Sequence, residues 1–166
     1  MAVCSCSVAS DFSPGPDSDI IWDIAPISLW IYLSDEGGKN MLDPEVPAEV
    51  FDISRVAAKW MGETYKVDTG QNGGVSMNKV NVIFHGLKLD KDSYGRWILS
   101  FGEFDGSDNI DNQELIISWG DGTSDTITVF NHFSWNSNGS PSITRRFYVN
   151  GDKQESDIAV FSFVRK

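Results

Sequence analysis

Cysteine is nearly missing from this 166-residue chain, and both of its cysteines, Cys4 and Cys6, stand within the first six residues. No disulfide framework braces the body, and a C-x-C pair alone is too short to close a tetrahedral metal site. Histidine is equally scarce. His85 and His132 lie far apart, without the H-x-x-x-H or C-x-x-C spacing that zinc requires. Positive charge is in short supply too, with 13 Lys and Arg against 24 Asp and Glu and a formal net charge of −11. Such a field repels phosphate backbones and anionic lipid, which excludes nucleic acid as a partner and adsorption to a membrane by charge. No apolar run approaches the roughly 20 residues that span a bilayer. Neither G-x-x-x-x-G-K-[ST] nor G-x-G-x-x-G occurs, so no glycine loop cradles phosphate, and no G-x-S-x-G elbow supports a hydrolase. Scattered carboxylates would make a glycosidase pair only if folding brought them together. The chain reads as noncatalytic, and no residue is put forward as catalytic.

What is present is the raw material of a globular β protein. At 40% hydrophobic and 22% charged, with ten Phe, six Trp and four Tyr, the chain has the bulk for one sizeable core. Residues 1–19 stand apart. After the cysteines, Ser7 to Asp19 is dominated by Ser, Pro, Gly and Asp, the composition of a flexible tether, so the ordered domain is expected over 20–166. From there the hydrophobic period is two. In "ISLWIYLS", Ile27, Leu29, Ile31 and Leu33 share a face, with Ser28, Trp30, Tyr32 and Ser34 opposite. The same alternation groups Val80, Val82 and Phe84; Trp97, Leu99 and Phe101; Leu115, Ile117 and Trp119; Ile127 and Val129; and Phe147 and Val149. "DIAVFSFV" is apolar enough to be buried on both faces, and Phe51–Ile53, Val56–Met61 and Thr64–Val67 are shorter strand candidates. Turn signals such as "DEGGKN", "DKDSYG", "GDGTS" and "SNGSP" divide these segments, and no window carries a helical stripe. The expectation is an all-β, antiparallel two-sheet sandwich.

Three stretches invite a ligand. "LIISWGDGTSDTITVF" sets two alternating arms about Gly120-Asp121-Gly122-Thr123-Ser124-Asp125, and a hairpin turn accounts for every residue of that centre. "EFDGSDNIDNQE" gathers candidate calcium ligands Asp105, Asp108, Asp111 and Glu114, since calcium takes six to eight oxygens. An EF-hand frame fails there: begun at Asp105 it closes on Ile116, and begun at Asp108 its third position is Ile110. Calcium bound in some other geometry is the one cofactor this loop suggests. Finally, Trp30 and Tyr32 share one strand face, while "FNHFSWNSNG" is read as a polar loop carrying Phe133, Trp135 and Asn136. Aromatic faces stack on sugar rings and Asn bonds hydroxyls, so these five are the candidate ligand-binding residues, for a glycan.

Two resemblances extend this reading. Val3-Cys4-Ser5-Cys6 resembles the end of a bacterial lipoprotein signal, with small Ser5 before Cys6. The resemblance implies lipid attachment at Cys6, with the basic start and apolar run of such a signal lying upstream of Met1. The order of motifs, "ISLWIYLSDEGGKNMLDP", then Gly62-Glu63-Thr64-Tyr65, "WGDGTSDTI" and "FYVNGD", is similar to that of small envelope lipoproteins of Bacteroides-type bacteria. That family implies an immunoglobulin-like or transthyretin-like sandwich held at the outer membrane, facing the periplasm or the exterior. Trp119 to Thr123 also resembles the core of the PKD-domain signature, which implies a sandwich spacer. The expected function is therefore a noncatalytic envelope lipoprotein that binds or supports. The alternatives are a carbohydrate-binding module of a glycan-uptake system and an adhesin or assembly subunit that pairs through a sheet edge. Its partners would be a glycan or another envelope protein, with the membrane reached only through lipid at Cys6.

Overall fold

The computed structural model describes residues 23–70 and 84–166, so Cys6, the tether and the Val80–Val82 strand lie outside the described residues. Ten strands follow in order: β1 (Ile27–Asp35), β2 (Ala57–Trp60), β3 (Glu63–Lys66), β4 (His85–Lys91), β5 (Trp97–Phe104), β6 (Ile110–Ser118), β7 (Ser124–Trp135), β8 (Pro141–Val149), β9 (Asp152–Lys153) and β10 (Val160–Arg165). They form two sheets, ordered β10-β1-β5-β4 and β3-β2-β6-β7-β8-β9. The fold is the two-sheet sandwich that the period-two pattern predicts.

The alternation is what holds the sheets face to face. Ile27, Leu29, Ile31 and Leu33 of β1 and Leu99 and Phe101 of β5 are buried from one sheet, and Leu115, Ile117, Trp119, Ile127, Val129 and Phe147 from the other. They belong to one hydrophobic cluster. Each such side chain contributes about 1.5–3 kcal/mol on burial. A one-residue slip in register would turn the whole row to water, so the pairing is strongly specified.

Three expectations are corrected. Ile98, of opposite parity to Leu99, is buried as well, whereas Trp97 is only partly buried and lies under the Lys91 ammonium, 4.4 Å from the ring centroid. The segment around Phe51–Ile53 is no strand. The Asp52 carboxylate accepts from Ser54 N at 3.0 Å and caps a single 3-10 turn, Ile53–Arg55. That local bond competes with strand pairing and wins. And "DIAVFSFV" is not buried on both sides. Its strand, β10, pairs with β1 in parallel at one margin of the smaller sheet, so only Phe161 and Phe163 enter the core. All other ladders are antiparallel.

The Gly-Asp-rich centre is the β6–β7 hairpin turn. Trp119 N donates to Thr123 O at 3.1 Å, and Asp121 Oδ1 accepts from Thr123 N at 2.7 Å. Gly120 is required twice over: its φ is +80°, and a Cβ there would stand 2.5 Å from that of Arg55. Just past the turn, Asp125 takes the indole N–H of Trp119 at 2.7 Å and the Asn150 amide at 2.8 Å, and it pairs with Arg165 of β10. The Arg165 guanidinium also lies over the Trp119 ring, 5.1 Å from its centroid. One carboxylate thereby ties the two sheets together at this end.

Candidate functional site

The outer face of the smaller sheet carries the most chemistry. On β1 the residues opposite the core row, Ser28, Trp30, Tyr32 and Ser34, point away from the second sheet, as the pleat demands. Registers place Val160 of β10 on one side of Trp30 and Ser100 of β5 on the other, with Lys88 of β4 beyond Ser100. In the next row Tyr32 has Ser162 beside it, and Asp90 pairs with Ile98. Trp30 keeps 39% of its surface exposed.

Besides a depression of about 490 Å³ that Trp30 shares with Arg145 and Ile158, two others flank this aromatic ridge. A cavity of about 200 Å³ is lined by Ser28, Trp30, His85, Lys88, Asp90 and Glu103 among others. A shallower one of about 380 Å³ runs past Tyr32, Asn40, Arg96 and Ser162. The backbone beside the smallest is bent. Glu103 has φ +117°, and both ladders of β5 shift register there, at Ile27/Ser28 and at His85/Lys88. A non-glycine residue in that region costs about 1–3 kcal/mol, and such strain gathers where a side chain must be aimed.

Both carboxylates bordering the smallest cavity have a basic side chain nearby. Lys88 Nζ lies 3.0 Å from Asp90, and His85 Nε2 lies 3.9 Å from Glu103. Burial alone would raise the carboxyl of Asp90, but the Lys88 ammonium and the Lys91 amide outweigh it and hold the group low. Asp92, in the β4–β5 turn, is the extreme case. Its burial favours the neutral acid, yet the Arg96 backbone and guanidinium, the Tyr32 hydroxyl and the Tyr94 amide all donate to it and hold it at about 2. Arg96 Nε reaches it at 2.7 Å and Tyr32 Oη at 2.9 Å. In return, burial and the bond to Asp92 raise the Tyr32 phenol. Tyr32 is thus held as a support, with Arg96 stacked 4.9 Å from its ring centroid, while the Trp30 indole stands open.

The remaining sequence candidates fall elsewhere. Phe133 and Trp135 do meet, edge to face at 5.1 Å, but on β7 of the other sheet. They continue the inward row of Ile127, Val129 and Asn131 beyond the end of the core, and share no ring contact with Trp30 or Tyr32 among the described residues. Asn136 is spent on its own turn, with its N 2.9 Å from Ser140 O and its amide 3.1 Å from Ser140 Oγ.

The acidic loop does not converge. Asp105 accepts from the hydroxyl and amide of Ser107, which holds its carboxyl low. Asp108 and Asp111 border a groove of about 420 Å³ floored by Trp60 and Phe104, whereas Glu114 lies on the face of β6 opposite buried Leu115. Among the described residues no three carboxylate, His or Cys side chains come together as a metal set.

What the sequence did not single out was the surround of Trp30. Lys88 and Asp90 alternate with buried Leu87 and Leu89, a period-two signal that was present, but "DKDSYG" registers first as a turn. Glu103 and His85 reach the cavity only through register shifts, which no local pattern announces. Compared with family models, curated proteins and solved structures, the chain finds no match in any of the three.

Proposed function

We propose that the chain is a noncatalytic binding module of the cell envelope whose Trp30 face takes a neutral glycan. The observation that carries this reading is the open Trp30 indole beside a cavity of about 200 Å³ bordered by Ser28, Lys88, Asp90 and Glu103. An indole face stacks on the C–H side of a sugar ring, while hydroxyl, ammonium and carboxylate groups at its edge bond the ring hydroxyls. Asp90 there already has the Lys88 ammonium as its partner, so a neutral ligand leaves that pair undisturbed. The strain at Glu103 supports the same reading, because it aims a side chain at the cavity rather than at the core.

In this proposal Cys6 carries lipid once an upstream signal has directed export, and the residues after it hold the sandwich off the outer membrane. Metabolic labelling with a fatty acid, lost on Cys6→Ala but not on Cys4→Ala, tests that part. A glycan array followed by titration calorimetry tests the binding face. Trp30→Ala should weaken the best ligand by about tenfold or more, the loss of some 1.4 kcal/mol, and Trp135→Ala should leave it unchanged. Equal binding by wild type and Trp30→Ala would refute the assignment.

A further inference from the structure

We propose that the chain forms a two-fold dimer in which β10 pairs antiparallel with β10 of a second copy, centred on Ser162. Among the described residues the sandwich has four edge strands, β10 and β4 in one sheet and β3 and β9 in the other. Three are guarded: β4 has the Asp68 backbone bonded to Leu87 and Leu89 along its edge and carries Lys88, Asp90 and Lys91, β3 carries Glu63 and Lys66, and β9 is Asp152-Lys153. β10 has no charged residue from Val160 to Val164. Its outward side chains are Val160, 36% exposed, Ser162, and Val164, 59% exposed, with Ile158 exposed just before them.

The backbone of that edge is open at Ser162 and Val164 and already bonded at Val160. Trp30 N donates to Ala159 O at 2.8 Å, so in the parallel ladder Ala159, Phe161 and Phe163 turn their polar groups to β1. Val160, Ser162 and Val164 therefore turn theirs outward. The Val160 amide is satisfied by Ile158 O at 2.9 Å, and its carbonyl accepts from the Gln154 amide at 3.0 Å, leaving a second lone pair. Among the described residues the amides and carbonyls of Ser162 and Val164 have no turn or side-chain partner.

The occupant is read from the strand itself. Val160-Phe161-Ser162-Phe163-Val164 is the same in both directions. Antiparallel pairing about Ser162 sets Ser162 against its own copy with two reciprocal amide bonds, Val164 N–H against the Val160 carbonyl of the other chain, and Phe161 beside Phe163 on the core side. It also sets Lys166 near Asp157 of the other copy, so the charges beyond each end of the apolar run are complementary. No other edge offers this self-match: β3 reads Glu-Thr-Tyr-Lys and β4 reads His-Gly-Leu-Lys-Leu-Asp-Lys. The two smaller sheets join into one of eight strands, with both Trp30 indoles on the same side. A surface bearing repeated sugars would then meet two platforms at once.

The test is made on the full chain in a Cys4→Ser, Cys6→Ser background, so that the native thiols cannot cross-link copies. Ser162→Cys should give a disulfide dimer on mild oxidation, because directly opposed hydrogen-bonded residues bring Cα atoms to about 5.5 Å. Thr126→Cys, on β7 of the larger sheet, should not. Sedimentation equilibrium up to about 100 μM should show a dimer, weakened about tenfold or more by Ser162→Pro and by Val164→Lys. Proline removes only an outward amide, which an edge strand tolerates. Near-UV circular dichroism reports whether each variant keeps its core, and Val164→Lys carries the test should the proline unfold the chain. A chain that stays monomeric at that concentration, or a dimer indifferent to folded Val164→Lys, overturns the proposal. So does cross-linking at position 126 as efficient as at 162.

Discussion

Replacing Asp125 by alanine should be among the most damaging single changes outside the apolar core. Its carboxylate is the shared acceptor of the Trp119 indole, the Asn150 amide and Arg165, and it links β7, the β8–β9 turn and β10. Its side chain is only 12% exposed and that of Arg165 only 20%, so solvent screens the pair little. Removing one member of a buried pair costs about 3–5 kcal/mol, because the other charge stays buried without its partner. Arg165 would keep only the weaker attraction of Asp121 in the exposed turn, and its Nε already lacks a bond. The stranded indole N–H adds about 1–3 kcal/mol if considered alone, but the two losses share one site and do not add. Taking 3 kcal/mol as the floor, a chain of this size loses about 6–12 °C in Tm. Urea unfolding of wild type, Asp125→Ala, Arg165→Ala and the double variant closes the cycle. The expected coupling is about 2 kcal/mol or more, with the double variant less impaired than the sum. Asp121→Ala is the comparison, since it breaks the two turn bonds to Thr123 and only a weaker attraction to Arg165, together worth about 1–2 kcal/mol. If Asp125→Ala costs under about 1 kcal/mol, or no more than Asp121→Ala, then the cross-sheet network is not what closes this end.

Two further outcomes follow from the site and its surroundings. Asp92 is held at about 2 in the folded state, below the usual value near 3.9 of an unfolded chain. Its contribution is therefore complete above about pH 4 and is lost as pH falls through about 2, and Asp92→Asn should flatten that acid limb of stability measured by urea unfolding between pH 6 and 2. At the β2–β3 hairpin, Met61 sits at φ +50° before Gly62 and is 71% exposed, so it bears the cost of a left-handed turn without burial in return. Met61→Asn should raise stability by about 0.5–1 kcal/mol, and a lower Tm would count against the turn assignment.

The architecture was legible because one rule, alternation, acts locally and decides globally. Leu29 and Ile31 or Leu115 and Ile117 reveal their facing from two neighbours apiece, and burial confirms each. Where the reading failed, a second influence outweighed the pattern. Asp52 captured Ser54 and turned Phe51–Ile53 into a 3-10 turn. β10 has the composition of a doubly buried strand, but burial depends on which strands lie outside it, and strand order is a long-range property. The proposed binding surface was half visible. Trp30 and Tyr32 follow from period two, whereas His85 and Glu103 join them only because β5 shifts register against both neighbours. Phe133 and Trp135 looked like companions of Trp30 in composition, and only the division into two sheets sets them apart.

The parallel seam between β1 and β10, with Trp30 beside Val160, also sets a timetable. At about 5–20 residues per second of synthesis, β1 waits on the order of ten seconds before its neighbour exists. Until then its apolar row has β5 but no strand on its other flank, and distant pairings of this kind mature in milliseconds to seconds rather than microseconds. That seam therefore closes only once Val160–Arg165 has been made. A premature stop before Val160 would leave β1 with one flank unpaired, an unfinished and aggregation-prone product.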